Sequence, residues 1–517
     1  DLLFVGAGMA LLRNDGRGHF ADVTAEAGLD WRRPDGSAGE ARQPLIADLD
    51  NDGLQDLLVS FVNDDHRVYR GRGGARFEDV TAGAGLGGAG LVGGPATVFD
   101  FDGDGLNDVY VGYFGDYLHG AIPTFDRNNR KALPNKLFRN LGGLRFADVT
   151  KGSGTDDTGW TQAVSHVDFD RDGRQDLIVA NDYGRNAFLR NLGSGKFEDV
   201  APSLGVTDSF HSMNVGITDL NDDDHPDIYI SNIAMLVKDN KYMFPDVNTP
   251  LNFDLRAMAG MLVKESDMLY MSHVEDGRLA AYVPSTDVER GPTSTGWAWD
   301  AEFFDFDHDG DDDLYLVNGT NDYNVYSMVY RRFGEEGAPD REYLLDHRRE
   351  SNVFFLNEDG RLKNVSPRSG ADQTINSRAT AYLDADADGD LDVAVNNFHA
   401  PATFLRNDAE KRGRSWLKLW LIGDPAQGSN RDAIGARIVV TTPDGARIRR
   451  EVQGGSGYLS MNPKQIHLGL GSARSADVRI IWPNGEVQTL KGLAADRSWV
   501  VRQGDVGAPL AAPDPTG

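Results

Sequence analysis

Cysteine is absent from all 517 residues, which excludes a disulfide scaffold, a thiolate metal centre and a thiol nucleophile. No run of about 18 or more apolar residues occurs, so no membrane-spanning helix is expected. Positive charge is scarce: 52 Lys and Arg stand against 80 Asp and Glu, a net of −28. Nucleic acid is therefore not expected as a partner, because phosphate contacts need a basic face. Familiar catalytic signatures are missing too: there is no His-Glu-x-x-His helix and no Gly-x-Ser-x-Gly nucleophile turn. Gly193-Ser194-Gly195-Lys196 lacks the spacing and following hydroxyl of a phosphate loop. His166 and His308 lie in or beside acidic loops and read as packing or solvated residues. The chain opens at Asp1 with neither Met nor a signal peptide, so it reads as processed or as a fragment, and targeting is not directly legible.

What is abundant is Gly (60) and Asp, with 21 Pro, a composition suited to many short strands and turns. Self-similarity is the first thing to look for in such a chain. The pattern Asp-x-Asp-x-Asp-Gly-x-x-Asp followed by an apolar run returns six times. It appears at Asp48, Asp50, Asp52, Asp56; at Asp100, Asp102, Asp104, Asp108; and at Asp168, Asp170, Asp172, Asp176. A variant follows at Asp219, Asn221, Asp223, Asp227, then Asp305, Asp307, Asp309, Asp313 and Asp384, Asp386, Asp388, Asp392. Each loop separates two strand-like runs. A third run often ends in Arg-Asn or Leu-Asn, and a fourth reads Phe-x-Asp-Val, as at Phe20 to Val23 and Phe197 to Val200. Four short strands per period of roughly fifty residues predict a propeller blade. Residues 1–24 carry the second, third and fourth strands of one more blade, with Asp1 at the place of a last loop Asp.

The expected fold is all-β: a seven-bladed β-propeller over residues 1–410 with its first blade incomplete, then a small C-terminal β domain. The missing first strand and most of its metal loop are expected upstream, leaving the ring open there. Insertions are expected at 232–292, with helix in Leu251 to Met271, and at 319–350. Residues 411–503 form the C-terminal domain and 504–517 a flexible tail rich in Gly, Ala and Pro. From Lys411 onward 15 Lys and Arg face 9 Asp and Glu, a net of +6, so the preceding residues carry −34 of the total −28. The adjacent acidic propeller is the simplest partner for that basic excess; an acidic external partner is the alternative.

Carboxylates at alternate positions of a tight loop converge on one centre, as a hard dication with six to eight oxygen ligands requires. Gly53, Gly105, Gly173, Gly310 and Gly389 permit the turn at the sixth position. The 24 loop residues named above are therefore candidate ligands of Ca²⁺, about six sites in all. Asp224 replaces Gly in the fourth loop, which should be the weakest site. Magnesium suits such flexible loops less well, and a solvated turn is the alternative for any single loop.

Propeller geometry puts these loops on one face. Other residues collect on the opposite face as a candidate ligand site: Trp160, Asn181, Asp182, His211, Trp297, Trp299, Asn318, Asn321, Arg378, Asn396, Asn397 and His399. Aromatic rings beside amides suit a polar ligand, a glycan or a protein partner; strand capping is the plainer role.

These Asp loops with their Phe-x-Asp-Val strands resemble FG-GAP/VCBS repeats, the blade unit of integrin α-chain propellers. Asn430 to Arg437, Gly455 to Ser460, His467-Leu468-Gly469-Leu470-Gly471 and Trp482-Pro483-Asn484-Gly485 resemble the ASPIC/UnbV domain. The pair in this order resembles the cartilage acidic protein (CRTAC) family, here a bacterial member, since the Cys-rich module of the animal proteins is absent. The resemblance implies an exported, extracellular or periplasmic, calcium-binding propeller. It also admits an enzyme of natural-product biosynthesis of the enediyne-cluster type, or an integrin-like adhesion protein. No catalytic residues carry over.

Overall fold

The computed structural model describes residues 1–6, 8–120, 130–208, 211–233, 267–285, 295, 297–319, 351–358, 360–505 and 510–511. Seven β-sheets follow one another along the chain. The first holds β1 (Leu2–Val5), β2 (Met9–Asn14) and β3 (Phe20–Asp22). The second holds β4 (Glu40–Ala47), β5 (Asp56–Val62), β6 (Arg67–Gly71) and β7 (Phe77–Asp79). The third holds β8 (Gly93–Phe99), β9 (Asp108–Tyr113), β10 (Lys136–Asn140) and β11 (Phe146–Asp148). The fourth holds β12 (Thr161–Val167), β13 (Asp176–Asn181), β14 (Ala187–Gly193) and β15 (Lys196–Asp199). The fifth holds β16 (Ser212–Thr218), β17 (Asp227–Asn232), β18 (Met268–Glu275) and β19 (Arg278–Pro284). The sixth holds β20 (Ala298–Phe304), β21 (Asp313–Asn318), β22 (Val353–Glu358) and β23 (Arg361–Asn364). The seventh holds β24 (Ser377–Leu383), β25 (Asp392–Asn397) and β26 (Thr403–Leu405).

Each sheet is an antiparallel meander in chain order. In the second to sixth blades the second strands are buried end to end, as in Asp56–Val62, because both faces of such a blade are covered by its neighbours. That is why they read as continuous apolar runs rather than as alternation. From β4 to β24, the first strand of each sheet packs on the first strand of the next and lines the channel. In the N-terminal sheet β1 is the innermost strand, and it corresponds to the second strand elsewhere. The ring meets between this sheet and the seventh: Leu2, Phe4 and Phe20 pack with Leu383, Ala385 and Ala394. There the Gly18 N–H donates to the Ala385 carbonyl at 3.0 Å, and the Phe20 and Phe404 rings lie 5.5 Å apart.

The stretch 232–292, read from sequence as an insertion, contains β18 and β19, the third and fourth strands of the fifth blade. Met268–Met271 are strand, not helix. The remainder of the helical expectation and residues 320–350 lie outside the described residues. Among the described residues no helix is long and apolar enough to cross a membrane.

The C-terminal domain is a pair of four-stranded sheets. Its strands are β27 (Trp416–Ile422), β28 (Arg437–Thr441), β29 (Arg447–Glu451), β30 (Ile466–Gly469), β31 (Ser475–Ile481), β32 (Val487–Ala494), β33 (Arg497–Arg502) and β34 (Leu510–Ala511). β34, inside the expected tail, pairs antiparallel with β33. One apolar cluster runs from Leu45, Val98 and Phe138 in the propeller to Leu419, Ile438 and Ile480 in this domain.

Candidate metal centres and the cavity opposite them

All six acidic loops connect the first and second strands of a blade and share one hydrogen-bond plan. The first Asp accepts the N–H of the sixth residue: Gly53 to Asp48 at 2.8 Å, Gly173 to Asp168 at 3.0 Å, Gly310 to Asp305 at 2.9 Å. The fifth-position Asp accepts the N–H two residues on, as Leu54 to Asp52 at 2.8 Å. The ninth-position Asp is held on both oxygens. Asp56 accepts Leu49 N–H at 3.0 Å and Gly71 N–H, from the third strand, at 2.8 Å. Asp108, Asp176, Asp227, Asp313 and Asp392 repeat this pair of bonds. The ninth Asp therefore closes each loop onto its blade.

In five loops three carboxylates bring ligand atoms within 4.8 Å of one another: Asp48, Asp50, Asp56; Asp100, Asp102, Asp108; Asp168, Asp170, Asp176; Asp305, Asp307, Asp313; and Asp384, Asp386, Asp388. Each of these loops also keeps a buried carboxylate oxygen with no hydrogen-bond partner, on Asp50, Asp102, Asp168, Asp305 and Asp307, and Asp384. A buried bare carboxylate oxygen is costly unless something pairs with it. Burial raises Asp48 and Asp168 to about 7 and Asp305 to about 8, with neighbouring carboxylates adding to the shift. All-oxygen donors in this state fit a hard cation.

The fourth loop differs. Asp219, Asn221, Asp223 and Asp227 form no such triad. Arg449 of the C-terminal domain lies against it, 3.5 Å from Asp219, 2.9 Å from Asp222 and 3.5 Å from Asp224, as Arg139 lies 2.6 Å from Asp102 in the second loop. Asp224 takes the glycine place with φ of 73°.

That contact belongs to a wider one. The basic C-terminal domain docks on the face that carries the acidic loops. The Gly469 N–H donates to Asp305 at 2.8 Å, Lys418 pairs with Asp384, and Arg450 pairs with Asp312 at 2.5 Å. The Asp48 N–H donates to Asp432 at 2.6 Å. This packing bears on two of the turn glycines as well as their backbone does. A Cβ on Gly389 (φ 103°) would sit 2.0 Å from the Trp416 indole nitrogen, and one on Gly53 3.3 Å from Arg431.

Residues 454–462 of this domain enter the channel. Gly454 bonds the first strand β8 through its carbonyl, to Val98 N–H at 2.9 Å, and donates to His166 Nε2 at 2.7 Å. Deeper in, Asp300 accepts the N–H of Tyr458 at 2.9 Å and of Thr380 at 2.7 Å, and Asn214 Nδ2 at 2.9 Å. The Ser460 carbonyl accepts Gln43 Nε2 at 2.7 Å. The plug is thus bonded to strands on several sides of the ring.

Beyond the plug, on the face away from the loops, lies a cavity of about 1490 Å³. Asp182, His211, Trp297, Trp299, Arg378, Asn396, Asn397 and His399 line it, together with Tyr458 and Leu459 from the plug. Part of it runs along β1, beside the place where other sheets have a further inner strand. The Arg378 guanidinium lies 4.4 Å from the centre of the Trp299 ring, which meets Tyr458 at 5.0 Å. His211 pairs with Asp182 at 2.9 Å.

Three residues of the expected ligand face have structural places instead. Trp160 is 1% exposed, packed edge-on against Phe114 and Tyr183. Asn181 accepts the Thr161 hydroxyl and donates to Asp157 and the Arg185 carbonyl. Asn318 donates to the Thr295 and Ser351 carbonyls. Each closes the end of a strand, a role the same amide and indole chemistry serves. Asn321 lies outside the described residues. Tyr458, Leu459 and Arg449 were not singled out from sequence, although the Gly455 to Ser460 motif contains the first two.

Residues 48–111 and 168–230 match the FG-GAP-like repeat family, and residues 426–508 match the ASPIC and UnbV family. The chain is 22% identical to mouse (Mus musculus) cartilage acidic protein 1 over 464 residues, 87% of this chain and 62% of that protein. It is 23% identical to the Xenopus tropicalis protein of that name over 317 residues, 61% of this chain and 40% of that one. The match thus spans less than two thirds of these relatives. Similar solved structures include a six-bladed propeller lectin from Aleuria aurantia, with TM-score 0.33 and 10% identity over 68% of this chain and 86% of that one. A Trypanosoma rangeli sialidase mutant has TM-score 0.36 and 11% identity over 93% and 91%. These two are too distant to bear on the site. The chain is an FG-GAP-repeat β-propeller carrying a C-terminal ASPIC and UnbV domain, and a distant relative of cartilage acidic protein 1.

Proposed function

We propose that the protein is an exported calcium-binding scaffold that holds a polar ligand, a glycan or a protein partner, in the cavity opposite its acidic loops. The observation that carries the calcium reading is the set of buried, unpartnered carboxylate oxygens in five of the six loops. Calcium takes six to eight oxygens in flexible geometry, and carboxylates with backbone carbonyls supply them. The ligands are the loop aspartates Asp48, Asp50 and Asp56, Asp100, Asp102 and Asp108, their counterparts in the third and fifth loops, and Asp384, Asp386 and Asp388 in the sixth. The bound ion would neutralise carboxylates that burial otherwise holds protonated. Export is supported by the relationship to cartilage acidic protein 1.

Five ions are expected, because the fourth loop, with Asn221 in place of an aspartate, gathers no carboxylate triad. Metal analysis of protein dialysed against metal-free buffer and reloaded with Ca²⁺ tests this. About five bound ions support it; none or one overturns the calcium reading, and six returns the fourth loop to the metal set.

The ligand reading rests on the cavity and its mix of indole, guanidinium, carboxylate and amide groups. Concave sites with aromatic walls and a few placed polar groups are where small ligands bind.

A further inference from the structure

We propose that the C-terminal domain supplies the floor of the ligand cavity: Tyr458 and Leu459 pass through the channel and present the surface on which a sugar ring rests. This deepens the ligand reading above and depends on it.

Three observations converge. First, the plug is built for depth. The Tyr458 N–H and the Ser460 hydroxyl both reach Asp300, and the Tyr458 ring packs on Trp299 at the cavity. A Cβ on Gly457 would come within 2.4 Å of Glu302, so the backbone itself is pressed against the channel wall. Second, Leu459 is half-buried at the tip, lines the cavity and has φ of 55°. Left-handed backbone disfavours a leucine by about 1–2 kcal/mol and costs glycine almost nothing. The neighbouring Gly455 and Gly457 also have positive φ. Leucine at 459 therefore spends stability to place an apolar side chain in the cavity, and strain of this kind gathers at binding sites. Third, apolar and polar groups meet at the cavity. Leu459 and Tyr458 line the cavity beside Asp182, His211 and Arg378, whose guanidinium lies 4.4 Å over the Trp299 ring. A saccharide ring has an apolar C–H face and a rim of hydroxyls, and it matches this arrangement.

The test uses the full chain loaded with Ca²⁺. Because the chain has no cysteine, Leu459→Cys carries its sole thiol. N-ethylmaleimide should label that thiol in the folded protein, with melting midpoint and metal content unchanged by the adduct. Failure to label without unfolding would overturn an open floor. The second arm is binding of cellotetraose, xylotetraose, mannotetraose, chitotetraose and tetragalacturonate to the parent chain, to Leu459→Gly and to the maleimide adduct. Leu459→Gly should melt close to the parent, since relief of the left-handed backbone offsets the packing lost on Trp299 and Tyr458, yet bind the preferred sugar roughly tenfold more weakly. The adduct should bind none. Full affinity in both overturns the floor while leaving the cavity as a ligand site. No binding of any of the five sugars to the parent overturns the ligand class, and with it the reading on which the floor depends.

Discussion

At the scale of single residues, identical side chains in one triad differ in what else they hold. Asp50, Asp102 and Asp307 keep an oxygen without a partner, whereas Asp56, Asp108 and Asp313 accept N–H groups on both oxygens. The spacing alone made them equal. The two tryptophans of the cavity divide in the same way. Trp299 is 5% exposed, donates its indole N–H to the Gly319 carbonyl and sits between Arg378 and Tyr458. Trp297 is only half-buried at the cavity. Trp299→Ala should therefore cost about 3–5 kcal/mol in urea unfolding. Trp297→Ala should cost less than Trp299→Ala, keep its calcium and lose ligand affinity. A large drop in stability for Trp297→Ala would assign this residue to packing.

At the scale of the blade, the recurring Asn at the end of the third strand ties one blade to the next. Asn140 Nδ2 donates to the Leu49 carbonyl of the preceding loop and to Asn107 within its own. Asn191 donates to Phe101 at 2.9 Å and Gln175 at 3.1 Å, and Asn407 donates to Phe306. The Arg-Asn signature was legible in sequence as a strand marker, but its partner lies about ninety residues away and is reached only when one blade packs on the next. Asn191→Ala would leave two buried carbonyls unpaired. A loss of about 1–3 kcal/mol is expected from the unfolding midpoint. A neutral result would remove this bond from the account of how blades hold together.

At the scale of the molecule, the loop face is where charge decides stability. Burial raises Asp48, Asp168 and Asp227 to about 7 and Asp305 to about 8, from 3.8 in an unfolded chain. A carboxyl whose folded pKa lies above its unfolded one contributes stability that is complete below about pH 4. That contribution is lost as pH rises through the folded values. Metal-free protein should therefore melt lower at pH 8 than at pH 5. Calcium reverses the slope, since the ion binds the deprotonated loops and stabilises only the folded state. Thermal melts at both pH values, with and without chelator, check this. Parallel slopes in the two conditions, with metal removal confirmed, would show that the loop carboxylates do not govern stability.

The sequence by itself determined the repeat, the strands that flank each loop, the convergence of carboxylates and the basic character of the last hundred residues. All of these are local: a nine-residue register, an apolar run or a net charge is complete within its own segment. It did not determine that the basic domain docks on the acidic loops, that Arg449 faces the fourth loop, or that Tyr458 and Leu459 reach the far cavity. Arg449 and Asp222 are 227 positions apart, and Tyr458 and Asp300 are 158 apart. Nothing in either segment names its partner. Only closing the ring creates a channel for residues 454–462 to enter, and only that channel brings Asp300 to the Tyr458 N–H.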